Sequence, residues 1–366
     1  MEISQTPLNS LQKNSQKIFL VGSICASLGI LLVTVGGSWD ITNHLLNKPE
    51  TFFSPPHALM YSGVAIGLIG AAISLLGYRN LQESKEIFRL PLRLKFIGIF
   101  LLVGAGPFDF VWHSNFGLDG LLSPPHFTLL SGMLLCSLGG MFGIARFLQK
   151  RNSKNNFTNY LLVLATLPVW LAGSGVISSL SLPFSNTDFF QFNPEPTFAF
   201  VMATIAYPFL ISLICLVTAR LSNFKPGIIT ILGGVFLLIY GMTAIVPNFA
   251  LLESVEFYSM NLILIVMADL VVSFRKSKKA SLIAGGILGS GFYMVYYPYI
   301  MYTYNELLLG KLVSPSMIYH TYFELMPQVI QFTIIPAIIM GVIGAFVAFR
   351  FSNKILIKKL DEKQVN

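Results

Sequence analysis

Uninterrupted apolar stretches, each about as long as a bilayer core is thick, recur from one end of this chain to the other, and they leave few folds open to it. They fall at about residues 18–38, 57–77, 94–112, 126–148, 160–181, 197–219, 227–246, 255–273, 281–303 and 327–350. About twenty apolar residues in a helix span the roughly 30 Å of hydrocarbon. In lipid every backbone N–H and C=O must be satisfied by the protein itself, so stretches of this length form helices. Hydrophobic residues make up 54% of the 366 and charged residues 11%, far from the balance of a soluble domain. The expected fold is all-α: a polytopic membrane bundle of about ten transmembrane helices, joined as hairpins.

Charge placement tests that count, because Lys and Arg are retained on the cytoplasmic side of a membrane. The basic clusters at residues 13–17, 79–95, 146–154, 220–225, 275–279 and 350–363 hold 22 of the 24 Lys and Arg. All fall on one side of a ten-span arrangement. The opposite connections keep Lys48 and Lys311 yet hold ten of the sixteen acidic residues. This places the chain in the cell membrane with both termini cytoplasmic. The net charge of +8 is accounted for by loops that flank spans and meet anionic headgroups, which argues against a nucleic-acid partner. Cys25, Cys136 and Cys215 lie in three different spans with no pairing pattern, so they read as small core residues. The run after Lys13 and Lys17 is too long for a secretory signal and lacks a cleavage pattern before Trp39-Asp40, so it reads as a retained first span.

Against this apolar background, four of the five histidines belong to one pattern. Asp40, His44 and His57 are spaced as Asp, three residues, His, twelve residues, His, and Asp109, His113 and His126 repeat that spacing 69 positions later. Both copies close on Ser-Pro-Pro-His, and Ser-Gly follows at Ser62-Gly63 and Ser131-Gly132. Each copy reads as a helical hairpin: an outward helix ending in Asp and the first His, a loop, and an inward helix starting at the Pro-Pro pair, where proline costs no internal hydrogen bond. Two hairpins running the same way form a parallel repeat, related by an axis near the membrane normal. Residues 1–150 therefore hold two repeated metal-binding hairpins. Residues 151–353 continue as a six-helix membrane region, and residues 354–366 form a charged cytoplasmic tail. Pro194-Glu195-Pro196-Thr197 and Ser314-Pro315-Ser316-Met317 stand where the Ser-Pro-Pro-His motif would fall, as in decayed repeats.

Residues four apart on a helix share a face, so Asp40 with His44 and Asp109 with His113 can bind one ion each from adjacent turns. The twelve residues at 45–56 and at 114–125 then have only to bring back one imidazole. Three protein donors describe an open, reactive site better than a closed structural one. One carboxylate with two imidazoles suits copper, zinc or ferrous iron. The plainer alternative is an interface where Asp and His satisfy one another. Recurrence of the same donors at identical spacing, in or near a bilayer where ionisable groups are costly, favours metal.

At these residues the chain resembles the C-type membrane component of the particulate methane monooxygenase and ammonia monooxygenase family, whose triad closes on Ser/Thr-Pro-x-His and is followed by Tyr-Ser, like Tyr61-Ser62. The resemblance covers about residues 18–148. It implies that Asp40, His44 and His57 match one copper site, and that Asp109, His113 and His126 match the neighbouring one. It further implies partnership with other membrane oxygenase subunits and oxidation of a small substrate. The family's second triad usually opens with Asn, whereas Asp109 adds a charge. Its C-type component is also smaller, so the six spans after residue 150 have no counterpart, and nothing here resembles the periplasmic copper-binding domain of that assembly.

Other features read as architecture. His320 and Glu324, beside Tyr319 and Tyr322, fit a polar cap of the interface better than a ligand pair. Asp188, Glu195, Glu253, Glu256 and Glu306 suit an acidic vestibule and solvated loops equally well, and Asp269, close enough to Arg275 to reach water, takes no role. Trp39, Trp112, Tyr61, Phe108 and Phe110 surround the triads as a dry wall or as headgroup anchors. The tyrosines at 293, 296, 297, 299, 302 and 304 read as an interfacial belt. No phosphate loop, nucleophile elbow or HExxH motif is present. Two further functions stay open: metal acquisition, transport or sensing, and a scaffold braced by its metals.

Overall fold

A computed structural model of the chain describes every residue except 1–6, 47, 49, 50, 82–84, 118, 152–155, 183–191, 250, 251, 253, 254, 292–322, 324, 325 and 362–366. The described residues are all-helical and include no strand. In chain order the helices are α1 (Pro7–Leu45), α2 (Pro55–Arg79), α3 (Lys85–Phe116), α4 (Pro124–Arg151), α5 (Asn156–Ser181), α6 (Pro196–Leu221), α7 (Ile228–Ile245), α8 (Val255–Ser259), α9 (Asn261–Phe274), α10 (Lys278–Gly291) and α11 (Met326–Asp361). Eight of them, α1 to α7 and α11, are long and apolar enough to cross a membrane.

The expectation of about ten spans is thus met by eight among the described residues. The stretch at 255–273 breaks at Met260, where Asn261 Nδ2 turns back to donate to the Tyr258 carbonyl at 2.7 Å. The resulting α9 has 14 residues, about 21 Å of helix against the roughly 30 Å required. The stretch at 281–303 is described only to Gly291, as α10. At the charged end of the chain α11 continues to Asp361, where Lys, Leu and Ile are adequate helix formers.

α1 packs along α2 and α3 along α4, as two antiparallel hairpins, and α4 and α5 carry that unit onto a second group built from α6, α7, α9, α10 and α11. The α1–α2 seam is made of glycine. Glycines recur at seven-residue spacing on both helices (22, 29, 36 and 63, 70, 77): Gly22 lies against Gly70 and Gly29 against Gly63, while Gly36 meets Pro56 and Met60 and Gly77 meets Ser15 and Phe19. A Cβ at Gly29 would lie 2.5 Å from the Gly63 carbonyl oxygen and 2.6 Å from Gly67 N, so the backbones touch. Without a hydrophobic drive between helices in lipid, such close approach is what supplies dispersion contact. Farther along, Trp170 stacks on Phe236 at 4.0 Å inside the main core.

Two buried charges have structural duties that differ from the sequence reading. Lys95, counted with a basic connection, is 0% exposed inside the first four helices. Its Nζ donates to Ser23 Oγ at 2.9 Å and Ser74 Oγ at 2.5 Å and lies 4.1 Å from the centre of the Phe19 ring. Both serines in turn donate to carbonyls four residues back, so the network is closed, as a buried charge requires. Asp269 does not reach water. It is buried, and its carboxylate accepts from Thr230 N at 2.9 Å and Thr230 Oγ1 at 2.8 Å, capping the first turn of α7 from α9. The three cysteines are free and lie within α1, α4 and α6, as expected.

Candidate metal centre

The loop-closing ends of the first two hairpins meet at one end of the bundle. Asp40 and His44 occupy the last turns of α1, one above the other, with Asp40 Oδ2 3.4 Å from His44 Nε2. His57 stands in the first turn of α2, with its Nε2 3.1 Å from Asp40 Oδ1. In the second hairpin Asp109 Oδ1 lies 3.3 Å from His113 Nε2 and 3.3 Å from His126 Nε2. Within each group one ligand atom per residue lies within 4.8 Å of the others, close enough to hold a metal ion. All six residues marked by spacing are therefore brought together as two triads.

The loops repeat in detail. α2 and α4 each begin on the Pro-Pro pair, and Ala58 N and Phe127 N both donate at 2.9 Å to the carbonyl of the preceding Ser54 or Ser123. α6 opens in the same way at Pro196, with Glu195 as cap: its side chain accepts from Phe198 N at 2.8 Å. The backbone N–H groups of Thr197 and Phe198 hold the Glu195 carboxyl below its ordinary value. That segment thus keeps the helix start and lacks the imidazole.

The ring orientations suit metal binding. His57 Nδ1 lies 3.0 Å from the Thr51 carbonyl, His113 Nδ1 2.9 Å from the Gly117 carbonyl and His126 Nδ1 3.2 Å from the Gly120 carbonyl. A proton held at Nδ1 by a backbone oxygen leaves the Nε2 lone pair free toward the centre of the triad, the usual device for orienting a ligating imidazole. Asp40 Oδ1, Asp109 Oδ1 and His113 Nε2 are buried and make no hydrogen bond of good geometry, although their triad partners lie 3.1 to 3.3 Å away. Ligand atoms that converge within ion-pair reach yet fall short of well-formed hydrogen bonds leave a place that a cation would satisfy, so the residues fit a metal ion.

The two triads are neighbours. The His44 and His113 rings lie 5.8 Å apart, centre to centre, and His113 and His126 5.3 Å apart. A cavity of about 330 Å³ joins them, a volume suited to a small ligand. Asp40, His57, Asp109, His113 and His126 line it together with Phe52, Met60, Tyr61, Phe110 and Leu129. Phe52 comes from the first loop and packs on Tyr61 at 5.0 Å and on Phe110 of α3 at 5.3 Å, closing the wall between hairpins. The α1 end of the site is also tied to α7: Ser38 Oγ and Thr243 Oγ1 share a 2.8 Å hydrogen bond, and Lys48 Nζ donates to the Pro247 carbonyl at 2.9 Å.

Of the five aromatic residues expected around the triads, Tyr61 and Phe110 line the cavity. Trp112 packs instead on Phe108, Phe116 and Phe192, and Trp39 and Phe108 are not part of the lining. Phe52, Met60, Leu129 and the buried Asp119 carry no sequence pattern that marks them as site residues, although Phe52 lies within the twelve-residue return and Met60 about one turn after the closing histidine. His320, Glu324, Tyr319, Tyr322, Asp188, Glu253, Glu306, the tyrosines at 293–304 and the segment 314–317 lie outside the described residues. Compared with protein-family models, with characterised proteins and with solved structures, the chain matches none.

Proposed function

We propose that this chain is an integral membrane metalloprotein whose two Asp-His-His groups hold copper. In this reading it is a relative of the C-type membrane component of the particulate methane and ammonia monooxygenases and acts in, or beside, the oxidation of a small substrate. The observation that carries the reading is the cavity that both triads open into, with its apolar remainder from Phe52, Met60, Phe110 and Leu129. A structural ion needs no such chamber. One carboxylate and two imidazoles per site are donors that zinc and ferrous iron also accept, and the general affinity order puts copper(II) ahead of both.

Bound copper would supply one-electron redox chemistry at the chamber wall. The chain's own part is positional. Thr51, Gly117 and Gly120 carbonyls hold three rings with Nε2 toward the donors, and Phe52, Tyr61 and Phe110 give the space between the sites an aromatic side. The lopsided basic residues support an orientation with both termini cytoplasmic and the triads at the outer face. Lipid surrounds the bundle, and other oxygenase subunits are the expected partners.

Metal analysis and electron paramagnetic resonance on purified protein test this. We expect two copper ions per chain, reduced to one in His57→Ala and to one in His126→Ala. Protein that binds no copper when loaded, or variants with unchanged content, would sink the proposal. Copper uptake by proteoliposomes would assign transport instead.

A further inference from the structure

Behind the second triad stands a buried carboxylate, Asp119, that belongs to neither ligand set. This residue sits in the return loop of the second hairpin and is 1% exposed. One carboxylate oxygen, Oδ2, accepts from the indole Nε1 of Trp112 at 2.5 Å. Trp112 lies on α3 between the ligands Asp109 and His113, so the helix that delivers two donors also clamps this carboxylate. The other oxygen, Oδ1, faces His126 Nδ1 at 3.6 Å and is buried with no hydrogen bond of its own. A buried carboxylate oxygen left without a partner is costly, and here it points at the back of a metal-ligating ring. In the first copy the position 69 residues earlier is Glu50, which lies outside the described residues. His57 Nδ1 faces the Thr51 carbonyl and His126 Nδ1 the Gly120 carbonyl, each six residues before its ring, so Asp119 Oδ1 stands beside a backbone acceptor at His126.

We infer that Asp119 is a positioning residue for His126, acting from behind the ring beside the Gly120 carbonyl, and that its carboxylate strengthens divalent-cation binding at the second triad. The inference rests on the metal reading above. A carboxylate behind a ligating imidazole fixes the ring and makes its far nitrogen a stronger donor, and losing such a partner commonly weakens binding by about 10- to 100-fold. Asp109 and Asp119 together also bring two negative charges to the second site.

Asp119→Asn separates charge from bracing, because the amide oxygen still accepts from the Trp112 indole while the charge is gone. The substitution is made in two backgrounds of the full chain, His44→Ala/His57→Ala, which leaves the second triad, and His113→Ala/His126→Ala, which leaves the first. Copper(II) alone is the probe, with affinity and the g∥ value as readouts. In the second-triad background we expect copper affinity to fall about 10- to 100-fold and g∥ to shift, and Asp119→Glu to restore both in part. In the first-triad background neither should change. Unchanged affinity and spectrum in the second-triad background, or an equal loss in both, would overturn the role of Asp119. Backgrounds that bind no copper at all would overturn the metal reading itself.

Discussion

At Gly117 the backbone enters the left-handed region, with φ at +70°, and this single residue does two things for the second triad. Its N–H donates to the His113 carbonyl at 2.9 Å, ending α3, while its own carbonyl receives His113 Nδ1 at 2.9 Å. There is open space where a Cβ would go, so the cost of Gly117→Ala is conformational, about 1 to 2 kcal/mol for a left-handed L-residue. Relaxation of that strain would swing the carbonyl away from the ring. We expect Gly117→Ala to weaken metal binding at the second triad while leaving the first intact, read as one lost or loosened copper equivalent in a competition titration. At this scale the six triad residues were legible because donor type and spacing are properties of the chain itself. Thr51, Gly120 and Asp119 were not, because which backbone oxygen or carboxylate lands behind a ring depends on how a loop closes.

Helices α1 and α2 meet along glycines, and the seam sets where Asp40 and His57 sit relative to one another. Gly29→Val would put a branched side chain against the Gly63 carbonyl and Gly67 N, which are backbone atoms that cannot rotate aside. Overpacking of this kind costs about 1 to 3 kcal/mol. We expect lower thermal stability in detergent together with loss of the first copper equivalent, whereas a valine at Gly104, where a Cβ meets nothing within 4 Å, should leave both unchanged. Span positions were legible at this scale, since length and hydropathy dictate them. The seven-residue glycine series at 22, 29, 36 and at 63, 70, 77 is also present in the chain, but glycine carries no hydropathy signal that would mark it as a contact. The break at Met260 and the burial of Lys95 follow from hydrogen bonds made in three dimensions, which no window along the chain reveals.

For the molecule as a whole, orientation is open to direct test. Cysteine placed at the exposed positions of Phe53 and Lys276, which lie at the triad end and at the basic turn between α9 and α10, should differ in reach to a membrane-impermeant maleimide. Intact cells should label Phe53→Cys and spare Lys276→Cys, and the native cysteines sit within helices. The reverse labelling would put the triads on the cytoplasmic side. The all-helical membrane architecture was evident from composition, while the joining of the two triads through one cavity was not, because it needs Phe52 of one hairpin to reach Phe110 of the other. The hydrogen bonds from α1 to Thr243 and from Lys48 to Pro247 further connect the triad end to the later helices.

The glycine seam also divides the first hairpins into parts with very different mutational freedom. Where backbone meets backbone, almost any change is a collision, so the frame that spaces the donors is nearly frozen. Phe52 and Leu129 are only partly buried and border open volume instead, so their cavity-facing sides can be altered with the frame left standing. A scaffold arranged this way can be retuned by selection or by design toward guests of different size and polarity, one wall residue at a time.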